Sequence, residues 1–261
     1  MDWLTSQPVG VLVAGCLAVA LLVAFGARLA ARAIVPMDEY DDVQRVGAPM
    51  MPALGAAFGV LIGLTLASEA GYLKSAQDIV ADEAAAASRL AWAATSPGVS
   101  TAPIHRALGD YLEATRANEW RDDGAEGGDR AVADSIATME QVVRAEAARP
   151  ELGTPTSTEL LVALDAVTSG RRDRVAAASR EIPLLYVITL VVGGVALIAT
   201  AGALGIRSTV RATLLVTGLA VVVGISMALL LSLSAPWRGP LVVSGGPIED
   251  VASQLRTGFF E

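Results

Sequence analysis

The chain has 261 residues, 53% hydrophobic and 18% charged, with a formal net charge of −8 and one cysteine. The acidic balance speaks against a nucleic-acid partner, which calls for basic patches, and a single cysteine excludes an intramolecular disulfide. A soluble domain carries about 25% charged residues. Here the apolar excess is gathered into four runs free of Lys, Arg, Asp and Glu, at 8–27, 46–67, 182–206 and 212–237.

Each run is long enough, at about 1.5 Å per helical residue, to cross a hydrocarbon core of about 30 Å. None shows the alternation of barrel strands, and helices are the other structure that satisfies its own backbone in lipid. The expected fold is therefore all-α, a polytopic cell-membrane protein with four transmembrane helices in contact with the lipid bilayer. Before the first run, the segment MDWLTSQ holds an acid and no base. That favours a retained span over a cleaved signal peptide. Cys16 lies inside this span and reads as a small apolar filler.

The second run carries GAAFGVLIGLTLASEAG, in which Gly55, Gly59, Gly63, Ala67 and Gly71 recur every four residues. Each glycine in a helix interior costs roughly 1 kcal/mol relative to alanine, so a compensating contact is expected. In lipid there is no hydrophobic drive between helices, and small residues along one ridge let a neighbouring backbone approach. Gly55, Gly59, Gly63 and Ala67 are accordingly the candidates for helix packing or pore framing, within the subunit or against a second copy. Lesser versions occur at Gly193 with Gly194, and at Gly218 and Gly224. Ser68 and Glu69 end the span and are the candidates for a polar ring at a pore mouth in a symmetric assembly.

The polar stretch 69–181 is the part large enough to fold outside the membrane. Its alanine-rich beginning continues the second span without a turn signal, up to the break SPGVSTAP. Further helices are expected from Ile104 to Trp120, from Arg130 to Ala148 and from Thr156 or Ser157, as N-cap, towards Pro183. Together they predict a helical bundle inserted between the second and third spans. The domain division is then 1–68 for the first two spans, 69–181 for the insert, 182–237 for the last two spans and 238–261 for a tail.

Arginine placement sets the orientation. Arg28, Arg32 and Arg45 fall in the first short loop and Arg207 and Arg211 in the second, which makes these loops cytoplasmic and places the insert and both termini outside. Arg171, Arg172, Arg174 and Arg180, at the entrance to the third span, count the other way.

Motifs for chemistry are sparse. His105 is the single histidine and has no ligand cluster or nucleophile context around it, so it reads as a surface or capping residue. Asp122, Asp123, Glu126 and Asp129 lack the spacing of a calcium loop and read as a turn; the cluster from Asp38 to Asp42 reads as a solvated loop. No catalytic role, metal or cofactor is expected, and spans without an acid or base lack the relays of many pumps. A pore gated by dewetting remains compatible with them.

The arrangement of two spans, a helical insert, two spans and a Pro/Gly-punctuated tail resembles the bacterial domain-of-unknown-function family labelled bestrophin-like. The residues carrying the resemblance are Glu69, Tyr72 and Glu83 with Ala84, then Tyr111 and Glu119 with Trp120 in LGDYLEATRANEW, and Pro236, Gly239, Val243 and Pro247 in LSAPWRGPLVVSGGPIED. Between the first two spans EYDDV stands where family members often carry a His-Asn-Asp-like stretch. The label implies an oligomeric anion or ion channel similar to the eukaryotic bestrophins, which are pentamers with four spans per subunit. The competing expectation is a non-conducting sensor or scaffold whose insert binds a protein partner, with Tyr111 and Trp120 as the contact candidates.

Overall fold

The computed structural model describes residues 8–36, 40–120, 128–180, 184–205, 210–234, 237 and 243–260. The acidic residues Asp38, Asp122, Asp123 and Glu126, the loop residue Arg207, and Pro236 and Gly239 lie outside the described residues. Those that are described form helices α1 (Val9–Ile34), α2 (Tyr40–Ala93), α3 (Thr101–Asn118), α4 (Arg130–Ala147), α5 (Thr154–Ala178), α6 (Leu184–Leu204), α7 (Val210–Leu233) and α8 (Gly246–Arg256). The fold is all-α, and four of these helices are long and apolar enough to cross a membrane.

The chain divides into two compact units, one comprising Met1–Tyr72 and Glu181–Leu241, the other Leu73–Arg180 and Val242–Glu261. In the first unit α1 packs on α6 and α7, and α6 on α7. Its core holds Ala20, Ala24, Phe58, Ile62, Leu197 and Val223. Large apolar side chains also face outward, Leu215 at 76% exposure among them. An apolar exterior over an apolar core is what lipid as the surrounding solvent selects.

The close helix contacts of this unit run through glycines. A Cβ at Gly202 would collide with the carbonyl oxygen of Ala24, and one at Gly224 would lie 3.2 Å from the Cys16 carbonyl oxygen and the Leu17 Cα. At Gly194 it would meet Val223 at 3.1 Å and Phe58 at 3.2 Å. The ridge of α2 behaves differently. Among the described residues, nothing lies within 4 Å of a Cβ built at Gly55, Gly59, Gly63 or Gly71. Among the described residues the most regular small-residue ridge is thus open, as is Gly218, and the close packing falls on Gly194, Gly202 and Gly224 of α6 and α7.

The second unit begins with the remainder of α2, which buries Ala76, Val80, Glu83, Ala87, Leu90 and Ala91 at helical spacing. Gly98, at φ +86°, supplies the left-handed conformation that ends this run. Helix α3 packs on α4 and α8, and α4 on α5. The cap of α5 is Gly153 rather than Thr156 or Ser157, because Pro155 occupies the first turn, where its fixed φ and missing N–H cost nothing. Asp129 caps α4 by accepting the Ala131 N–H at 2.7 Å.

Candidate functional site

The second unit encloses four charged side chains of balanced sign, two arginines and two glutamates. Glu83, on α2, is 0% exposed and Arg174, on α5, is 3% exposed. Arg174 donates to Glu83 through Nε at 2.6 Å and through Nη2 at 3.2 Å, a two-pronged pairing that suits the planar guanidinium. Its Nη1 lies 2.6 Å from Glu119 Oε2. Glu119 Oε1 in turn accepts from Arg171 Nη2 at 2.8 Å and from the Asp129 N–H at 3.0 Å. The Tyr111 hydroxyl donates to Glu83 Oε1. The Trp120 ring covers Arg174, with the guanidinium carbon 4.8 Å from its centroid, and its indole N–H donates to the Val243 carbonyl at 3.2 Å.

Local sequence explains how α5 reaches Glu83. Gly170 precedes the arginines, and a Cβ there would come within 3.1 Å of the Glu83 Cα and Cβ. The missing side chain lets the two helices approach until Arg174 bonds Glu83 directly. Burial of such a pair costs several kcal/mol per ion unless geometry and partners are good. Here each carboxylate has at least two donors.

Burial opposes the charge on Arg174, yet Glu83 and then Glu119 outweigh it and hold the guanidinium protonated beyond its ordinary range. Tyr111 moves upward as well, through burial first and the Glu83 charge second. Its phenol is therefore neutral well above its ordinary value of 10.0. Above that pH the unfolded chain surrenders this proton while the folded chain keeps it, so the stability present below pH 10 declines as pH rises. The decline has a limiting slope of about 1.4 kcal/mol per pH unit. Tyr111→Phe is expected to flatten this alkaline limb in denaturant melts at pH 9–11. An unchanged slope would remove Tyr111 from the cluster's titration.

Five residues that carry the family resemblance, Glu83, Tyr111, Glu119, Trp120 and Val243, meet at this cluster. A family model for the Bestrophin-like domain matches residues 18–248. The chain belongs to the bestrophin-like family. Comparisons with curated proteins and with solved structures returned no match. For this family member, the match and the span-capable helices together establish a membrane protein.

The other sequence candidates are distributed as follows. Tyr111 has no exposed surface and works inside the bundle, while Trp120 is half-buried over Arg174. Gly59, Gly63, Ala67 and Ser68 are exposed, Gly55 is half-buried, and Glu69 is buried at 5% exposure. His105 is half-buried, and its Nε2 lies 3.0 Å from the Ala91 carbonyl in the last turn of α2, which only accepts, so this nitrogen carries the proton and the side chain caps that helix end. Among the described residues no group of His, Cys, Asp and Glu is placed to hold a metal ion.

Sequence reading missed Arg171 and Arg174 as members of a site, because it counted them as charges near a membrane entrance. One signal was present in SGRRDR, where a glycine in mid-helix is costly unless another backbone comes close.

Proposed function

We propose that this membrane protein assembles as a homo-oligomer around the small-residue ridge of α2 and conducts ions. The observation that carries the reading is the open space at Gly55, Gly59 and Gly63. Three helix-weakening glycines aligned on a span have no compensating contact among the described residues, while those at Gly194, Gly202 and Gly224 do. A neighbouring copy supplies that contact through backbone approach in lipid. Exposed Ser68 is then the polar residue nearest the rim of the assembly, with Glu69 held inside the subunit. The role is non-enzymatic and needs no cofactor. Purified protein in planar bilayers is expected to pass selective current; a monomer in mild detergent with no conductance overturns the reading.

In the proposed orientation the two short loops are cytoplasmic, and the insert and both termini extracytoplasmic. Ion pairing supports it. Arg171 and Arg174 are held by Glu119 and Glu83 and do not act as free charges at a membrane surface, so they leave the tally that opposed this orientation. In the eukaryotic channels behind the family label, by contrast, most of the non-membrane part is cytoplasmic. Labelling of Asp134→Cys in intact cells by an impermeant maleimide is the expected result; labelling only after lysis reverses the assignment.

A second reading, a scaffold whose insert binds a protein partner, is favoured by one surface feature. Trp92 and Phe259, 52% and 58% exposed, meet edge to face at 5.9 Å on the second unit. Solvent-facing aromatic pairs of this kind are typical binding anchors. Under this reading Trp92→Ala with Phe259→Ala abolishes co-purification of a partner and leaves assembly intact. Unchanged recovery counts against it.

A further inference from the structure

We propose that residues 243–260 form a lid on the ionic cluster, so that docking of this segment and closure of the cluster are a single event. The segment is fastened at two places. At its start, the fully buried Val243 accepts the Trp120 indole N–H. Gly245 lies so close that a Cβ would stand 3.0 Å from Trp120 Nε1. At its far end Phe260, 1% exposed, packs edge-on against Trp92 at 5.3 Å and reaches His105 at 6.3 Å. Between these anchors α8 turns Ile248 and Val251 inward and packs on α3.

Trp120 is the link between lid and cluster. Its ring covers Arg174, while its N–H and one edge belong to the lid. A cavity of about 350 Å³, lined by Arg116, Trp120, Gly245 and Glu249 among others, opens beside the indole. The indole therefore borders open space, and loss of the lid's hold on the ring exposes Arg174 to solvent. A charge pair that is strong in the dry interior is weak in water, so the cluster loosens when the ring moves. Conversely, with Arg174 held by Glu83 and Glu119, the ring has a fixed surface to lie on and presents its N–H to Val243. The Arg116–Glu249 pair across the lid is half-exposed at 3.9 Å and adds little.

Hydrogen exchange on the full chain in nanodiscs tests the coupling. Phe260→Ala removes the anchor that is remote from the arginines. Exchange is expected to rise by more than about tenfold in α8, and by the same factor at 116–120 and 171–174, with α4 around Met139 unchanged, as for one local opening unit. The proposal is overturned if α8 opens while 116–120 and 171–174 keep their protection, or if α4 rises equally and the whole unit opens together. Trp120→Phe keeps an aromatic face on Arg174 and deletes the N–H. It decides the same question from the cluster side: α8 and 171–174 rising together supports the lid, and either rising alone overturns it.

Discussion

Arg174→Ala is expected to destabilise the second unit by about 3–5 kcal/mol, the usual cost of breaking a buried ion pair from one side. The substitution leaves Glu83 with the Tyr111 hydroxyl as its one remaining side-chain donor among the described residues, at a position with no exposure. Glu119 keeps Arg171 and the Asp129 N–H, so the damage is concentrated at Glu83. Against a typical stability of about 5–15 kcal/mol the loss is large. The paired replacement Glu83→Leu with Arg174→Met removes both charges and is expected to recover most of it, since an apolar pair of similar volume avoids the desolvation of two ions. Guanidinium melts followed by near-ultraviolet circular dichroism, which reports Tyr111 and Trp120, measure both. A double variant less stable than Arg174→Ala would show that the ions contribute more than mutual neutralisation.

Gly202→Leu and Gly59→Leu are expected to fail in different ways. At Gly202 a side chain enters the Ala24 backbone, which has no rotamer by which to retreat, so the packing of α1 on α6 is lost and the chain should not be recovered folded. At Gly59, and likewise at Gly63, a side chain enters open space, so the subunit folds. Assembly is the property affected there, because a bulky residue keeps a neighbouring backbone at a distance. Size-exclusion chromatography with light scattering should report folded monomers for Gly59→Leu and Gly63→Leu and aggregate for Gly202→Leu. Oligomers retained with both bulky replacements would mean that the ridge faces lipid, and the proposed assembly would lose its support.

What the sequence determines by itself is whatever repeats locally along one helix. Runs without charge set the four spans, since no buried side chain is needed to know that such a run avoids water. The break at Pro97 and Gly98 and the glycine-rich stretch of sequence before Arg130 bounded the insert's helices, because glycine and proline act on their own backbone. The family resemblance was legible for the same reason, as short motifs in order. Which faces meet was not legible. Arg174 and Glu83 stand 91 positions apart, and nothing in either neighbourhood names the other. Only packing turned two arginines from membrane-entrance charges into the centre of a buried cluster. Packing also placed residues 243–260 against the insert, and it left the most regular glycine ridge open while closing on Gly194, Gly202 and Gly224. Helix period and composition are properties of one segment, whereas an ion pair, a lid or an open ridge depends on the approach of two surfaces that only the folded chain brings together.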